Sequence, residues 1–206
     1  MQKRALALAA AAAAVLAALP ATLASAGPGA DSAPLVRVRV EGKTRTLFGP
    51  TEPRAQAATP LQALEKASLA GEIYYHVQET SFGPYVDQIG RYRASGTSGW
   101  VFKVNGAMPP VGADKVELKP GDRVLWYWAT FSESGGPPTL RLARVKPDCY
   151  QVTAEDDQGK TTPVAATLRV DGQALSVKAG ATTCVPRPHG LVRAVAPGAV
   201  RSNALP

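Results

Sequence analysis

The sequence predicts two fold classes in succession, α+β and then all-β. Three observations carry that prediction: a single helix signal lies among alternating strands, turn sequences of defined type separate those strands, and no helical period returns beyond Cys149.

Residues 1–26 read as a signal peptide. Lys3 and Arg4 precede an alanine and leucine run over residues 5–19, Pro20 breaks it, and Ala24-Ser25-Ala26 supplies a small-x-small cleavage signature. A run of about 15 residues is shorter than the roughly 20 that span a bilayer. No later stretch is longer or more apolar. The expected mature product is secreted, without a membrane span, and starts with the small-residue linker of residues 27–34.

In the segment that follows, Val36, Val38 and Val40 alternate with Arg37, Arg39 and Glu41, the period of a half-buried strand, and Glu41-Gly42-Lys43 turns it into a second strand ending near Leu47 and Phe48. Thr59-Pro60-Leu61-Gln62 is a capping-box start to a helix, with Leu61, Leu64 and Ala67 on one face and Gly71 as the left-handed stop. Ile73, Tyr75 and Val77 alternate again. Residues 80–98, rich in glycine, serine and aromatics, read as an irregular excursion. Trp100, Phe102 and Val104 lead into Asn105-Gly106, a hairpin dipeptide whose residues tolerate positive φ, and Lys119-Pro120-Gly121-Asp122 has the form of a type II turn before the apolar strand of residues 124–131. Two hairpins, a helix and a mixed sheet, in that order, make a β-grasp-like domain across residues 35–146. The segment of residues 140–145 fits either a last strand of that domain or a connector.

Residues 147–206 show short apolar stretches separated by Asp156-Asp157-Gln158-Gly159 and Asp171-Gly172, as in a small all-β sandwich, and with Val152-Thr153-Ala154-Glu155-Asp156-Asp157, Val170-Asp171-Gly172 and Gly198-Ala199-Val200-Arg201-Ser202 the module resembles small immunoglobulin-like or prealbumin-like sandwiches of bacterial exported proteins. Its two cysteines, Cys149 and Cys184, are the only ones in the chain, and an even count in an exported protein predicts one disulfide. The closed loop of about 36 residues would be worth roughly 3 to 4 kcal/mol in the chain-entropy account.

The formal net charge is +7, and the arginines at 37, 39, 91, 93, 141, 144, 193 and 201 are scattered. That distribution fits solvated strand faces and no nucleic-acid stripe. His76 and His189 fall in different predicted domains and lack a neighbouring nucleophile motif, so no catalytic residues are assigned. Asp156-Asp157 fits a hairpin tip, the EF-hand spacing is absent, and no metal site or cofactor is assigned.

The aromatics remain. Trp126 and Trp128 share one strand face and Tyr127 and Phe131 the other. Two readings stand. In one, both faces are core, the first under the helix and the second under residues 80–98. In the other, Tyr74, Phe82, Tyr85, Trp100 and Trp126 or Trp128 form an apolar cleft for a flat or ring-bearing ligand.

The run Thr59-Pro60-Leu61-Gln62-Ala63-Leu64, then Ser81-Phe82-Gly83-Pro84-Tyr85-Val86, Gly99-Trp100-Val101-Phe102-Lys103-Val104-Asn105-Gly106, Gly112-Ala113-Asp114 and Lys119-Pro120-Gly121-Asp122-Arg123-Val124-Leu125-Trp126-Tyr127 resembles the transcobalamin-like C-terminal domain family over residues 35–131. That resemblance implies a β-grasp lid of the kind that closes over a corrin ring, with a corrinoid as ligand, although the helical barrel that holds the corrin in animal carriers has no counterpart in this chain. The sequence thus leads to a monomeric, non-catalytic secreted binding protein whose partner is a small molecule or an extracellular protein or glycan surface. The alternatives are a structural or adhesive envelope module, with its aromatics all buried, and a hydrolase using His76 or His189.

Overall fold

The computed structural model describes residues 32–133 and 135–206. The expected signal peptide and most of the expected linker lie outside them. Ser32–Pro206 form one compact unit, mostly β, with several sheets, one helix and one disulfide. No helix among the described residues is long and apolar enough to cross a membrane.

The chain runs β1 (Leu35–Glu41), β2 (Thr46–Phe48), β3 (Arg54–Gln56), α1 (Pro60–Gly71), β4 (Tyr75–Thr80), β5 (Gly83–Ile89), β6 (Tyr92–Arg93), β7 (Ser98–Val104) and β8 (Arg123–Thr130). A five-stranded sheet has the order β2-β1-β8-β7, with β3 also on β1; β1 and β8 are parallel, and the other pairs are antiparallel. A separate three-stranded sheet, β4-β5-β6, runs from Tyr75 to Arg93, with β5 and β6 inside residues 80–98 where the sequence suggested irregular chain. The Gly83-Pro84 start and a bulge between His76 and Val77 interrupt the alternation that would otherwise have marked β5.

Helix α1 begins as its sequence requires. Thr59 is the extended cap, its hydroxyl accepts from Gln62 N at 3.2 Å, and the Gln62 amide oxygen reaches back to Ala58 N at 2.8 Å. Its end differs from the expectation. The left-handed residue is Glu72, with φ 50°, whereas Gly71 is needed for room: a Cβ there would sit 2.9 Å from Phe48 Cδ2. Ala63, Leu64 and Ala67 pack on Val36, Val38, Val40 and Trp126 in the first core. The two hairpin signals also form as read, with Asn105 at φ 53° and Gly106 at φ 95°, and Gly121 at φ 88° with Asp122 N donating to Lys119 O.

The remaining strands are β9 (Thr139–Lys146), β10 (Cys149–Glu155), β11 (Thr161–Pro163), β12 (Ala166–Val170), β13 (Gln173–Val177), β14 (Thr183–Cys184), β15 (Val192–Val195) and β16 (Ala204–Leu205). Strand β9, left open by the sequence, pairs along its whole length with β10, so position 147 lies inside a hairpin of this second region. One four-stranded sheet joins β9, β11 and β14 to β10, and the other runs β13-β12-β15-β16. Leu140, Leu142, Tyr150 and Val152 from the first meet Leu168, Val170, Val192 and Ala194 from the second in a separate core. The Cys149–Cys184 disulfide joins directly paired residues of β10 and β14.

The period-2 reading of β1 fails on one face. Arg39 is 3 % exposed and Glu41 not at all, because the face opposite α1 is covered by the C-terminal sheets. Glu41 pairs with Arg193 and with Arg201 (3.1 Å to Nε), lies 3.5 Å from Arg39, and accepts from Thr46. Glu52, also buried, accepts both oxygens' bonds from Arg141 at 2.8 Å. Arg39, Arg141, Arg193 and Arg201 are therefore not the solvated charges that their scatter suggested. Lower on the same face, Leu125, Tyr127 and Ala129 meet Val200 in a third cluster, so C-terminal chain, and not residues 80–98, covers it. Lys103, with no exposed surface, donates there to Glu155 O at 3.0 Å and Asp156 O at 2.8 Å.

Two expected outcomes follow from these contacts. Replacing Glu41 by alanine leaves buried guanidinium groups unpaired and should cost about 3 to 5 kcal/mol in urea unfolding followed by circular dichroism; a loss under about 1 kcal/mol would show that the cluster is solvated. The Cys149→Ser, Cys184→Ser double variant should lose about 3 kcal/mol in the same measurement.

Candidate functional site

The aromatic side chains on the α1 side of β7 and β8 form a cross-strand ladder. Register places Trp100 opposite Trp128 and Phe102 opposite Trp126. The ring centroids are 5.7 Å apart and near perpendicular in the first pair, and 5.2 Å apart and tilted in the second. Each strand polar handle matters here: Trp100 Nε1 donates to Tyr92 O at 2.8 Å and Trp126 Nε1 to Pro60 O at 2.9 Å. Trp126 is thereby tied to the first turn of α1.

Strand β7 is the edge of its sheet, and its odd-numbered residues face β8, as shown by Phe131 N donating to Thr97 O and Asn105 N to Arg123 O. The even-numbered residues point the other way. Ser98 is bridged on that side to Ser95 and Val104 to Ala107, but between them Trp100 and Phe102 pair with no strand. Facing this open stretch is β5, which joins no ladder with β7.

The gap is an apolar cleft of about 210 Å³, walled by Pro84, Tyr85 and Val86 of β5 on one side and Trp100, Val101 and Phe102 on the other. Trp126 and Ala113 reach it from below, and Met108 and Pro109 close one end. It opens outward into a groove of about 730 Å³ between the Phe82-Gly83-Pro84 tip of the β4–β5 hairpin and Pro109, Pro110 and Val111. Both volumes share Pro84, Tyr85, Pro109 and Gly112. Phe82 at the lip is 91 % exposed and Val111 opposite is 47 % exposed. Phe82, Val111 and the prolines between which they stand thus form a contiguous apolar rim to a concave apolar wall.

The candidate residues separate as follows. Tyr85, Trp100 and Trp126 meet in the cleft, and Phe82 stands over its outer groove. Trp100 and Trp126 are also core, each only 2 % exposed, so one edge of each ring serves the core and another the cleft wall. Trp128 packs edge-on against Trp100 and tilted against Tyr92 and lines a different cavity. Tyr74, exposed and ahead of β4, lines neither space. Sequence reasoning missed Phe102, Met108 and the two prolines after it. An apolar Met108-Pro109-Pro110 just past a polar hairpin tip, where loops are normally hydrophilic, was the available signal.

Tyr85 sits under tight constraint. Its hydroxyl lies so near β7 that a Cβ on Gly99 would be 2.7 Å from it, and its phenol pKa is pushed up by burial and by the charge of Asp87. Asp87 itself accepts from His76 Nδ1 at 2.5 Å and pairs with Arg93 at 3.3 Å. Burial alone would raise its carboxyl, but the His76 hydrogen bond, with the His76 and Arg93 charges, outweighs that and holds it below the usual aspartate value. His76 is therefore part of a hydrogen-bonded triad with Asp87 and Arg93. His189, whose backbone N–H bonds Asp171, belongs to the far end of the C-terminal region.

These elements coincide with a known family of uncharacterised domains. A model of the domain of unknown function DUF4430 matches residues 57–130. The DUF4430 match, about a third of the chain, runs from just before α1 to the end of β8 and so contains both walls of the cleft, the Met108–Gly112 loop and the aromatic ladder. It leaves out β1 and the C-terminal sheets. No curated protein matches the chain.

The depressed Asp87 carboxyl fixes a sign. A native pKa below the unfolded value near 4 adds stability above that pH, and the contribution disappears as the pH falls from about 4 through the native value. Acid unfolding of the Asp87→Asn variant should accordingly show a shallower fall of stability below pH 4 than the wild type; identical slopes would mean that the triad carries no pH dependence.

Proposed function

We propose that this chain is an exported, non-catalytic binding protein in which a β-grasp domain of transcobalamin-like C-terminal type presents the cleft to a flat or ring-bearing ligand and a small immunoglobulin-like sandwich braces the back of its sheet. The observation that carries the reading is the continuous apolar path from exposed Phe82, past Tyr85, to the faces of Trp100 and Trp126. Pockets of this chemistry hold ligands by burying ring surface, with few polar groups to orient them. The outer groove, about 730 Å³, is in the size range of small-molecule sites, and the narrower inner cleft would take an edge or a substituent of the ligand. A corrinoid fits the family resemblance.

The order α1 after a β1–β2 hairpin, with β1 and β8 parallel at the centre of the sheet, supports the β-grasp reading. The shared core of the two C-terminal four-stranded sheets supports the sandwich. Residues 1–26, read as a signal peptide, and the Cys149–Cys184 disulfide support export.

A second reading has a specific observation in its favour. Trp100 and Trp126 are nearly inaccessible, which suits a structural or adhesive module whose aromatics only hold the sheet together. The two readings differ in titration. In the binding reading, cyanocobalamin, or another planar ligand from a panel of corrinoids and glycans, quenches tryptophan fluorescence saturably, and Phe82→Ser with Tyr85→Ala weakens binding roughly tenfold or more, as expected for loss of stacked ring area. Absence of saturable quenching by every member of the panel would leave the structural module as the function.

A further inference from the structure

A second cavity, of about 300 Å³, lies at the Trp128–Thr130 end of β8, between the β1–β2 turn and the chain leading into β16. Its described lining includes Gly42, Lys43, Trp128, Gly198 and Arg201, and no carboxylate. The charged groups of its lining, Lys43 and Arg201, are donors. Trp128 Nε1 is buried and has no hydrogen-bond partner, which is a costly state for an indole N–H. Lys43 is exposed and makes no hydrogen bond or ion pair. Arg201 uses Nε on Glu41 and Nη2 on Gly42 O and leaves Nη1 unbonded.

The charge behind this wall has the same sign. The buried network joins Arg39, Arg141, Arg193 and Arg201 to two carboxylates, Glu41 and Glu52, so two positive charges remain uncompensated before Lys43 is added. Burial pushes the Arg39 and Arg193 guanidinium groups down, against the pull of Glu41, which is the response of cations crowded into a desolvated cluster. A concave, donor-lined surface over surplus positive charge lowers the energy of an anion there.

We infer that this cavity is a binding site for a compact oxyanion, carboxylate or phosphate, held between Lys43 and Arg201 with the Trp128 indole in its wall. It is separate from the apolar cleft. Trp128 reaches the cleft's wall only through Trp100.

The test is a titration of the full chain, watched through the tryptophan indole N–H resonances in ¹H–¹⁵N spectra. Inorganic phosphate and sodium glucuronate are the two anionic probes, with neutral glucose and sodium chloride at matched ionic strength as controls. At least one anion should shift the Trp128 resonance saturably while leaving that of Trp126, already bonded to Pro60 O, in place. A response to glucuronate alone supports the site with a sugar carboxylate as its ligand, and a response to phosphate alone supports it with a phosphoryl group. Lys43→Ala, a change on the exposed rim, should weaken binding roughly tenfold, the loss of one charge-assisted hydrogen bond. Trp128→Phe should abolish the shifting resonance. The Phe82→Ser, Tyr85→Ala variant should bind the anion unchanged, which keeps this result independent of the cleft. The inference is overturned if neither anion moves Trp128, if glucose or chloride moves it equally, or if Lys43→Ala binds as the wild type does.

Discussion

Glu41 is the constraint around which the rest is arranged. A carboxylate with no exposed surface must be paired, and its partners, Arg193 and Arg201, come from the far end of the chain. Strand β1 is thus committed on both faces, to α1 through its valines and to the C-terminal sheets through its charges. The same is true of β7 and β8, where Lys103 caps the carbonyls of Glu155 and Asp156 and Tyr127 lies against Val200's cluster. With the second face removed, Glu41, Lys103 and Tyr127 would each meet water or one another. This is why Ser32–Pro206 behave as one compact unit despite two regions of distinct pattern.

Covering that face determines where a ligand can approach. The back of the central sheet is closed by the C-terminal strands and much of the front by α1, so the apolar cleft of this sheet lies at the β7 edge, where β5 stands off from the ladder. The aromatic cross-strand pairs make that edge stiff. Trp100, Trp126, Trp128 and Phe102 hold one another through direct register, and two indole N–H bonds to backbone carbonyls fix the rings that the cleft exposes. A preorganised wall of this kind loses little entropy when it takes up a ring.

What was legible in the sequence was local. The Thr59 cap, the Asn105-Gly106 and Pro120-Gly121 turns and the existence of strands β1, β7 and β8 depend on residues a few positions apart, and each formed as its chemistry requires. The aromatic candidates were partly legible for the same reason: period 2 puts Trp126 and Trp128 on one face, yet only the register of β7 against β8 decides that Trp126 meets the cleft and Trp128 the cavity beside Lys43. The buried charges were not legible. Arg39 and Glu41 on alternate positions look like a wet strand face unless one knows that Arg193 and Arg201 arrive from more than a hundred residues away. Strand β5 was hidden by glycine, proline and a bulge, and its distance from β7, which opens the cleft, is a property of no single segment.

The open stretch of β7 also explains why an exposed edge beside so many aromatics is tolerable. Edge strands invite pairing with other chains, and proteins blunt them by shortening or covering them. Here the exposed run is closed at one end by the Ser95–Ser98 bridge and at the other by Val104–Ala107, which leaves the outward groups of only Trp100 and Phe102 between them. Tyr85 and Pro84 overhang that gap, and proline has no N–H to offer a pairing strand. A second sheet cannot be added over so short and roofed an edge, whereas a small ring entering past Phe82 meets apolar walls and backbone groups already in place. The same geometry that guards the protein against edge-to-edge association therefore favours a compact ligand over an extended one.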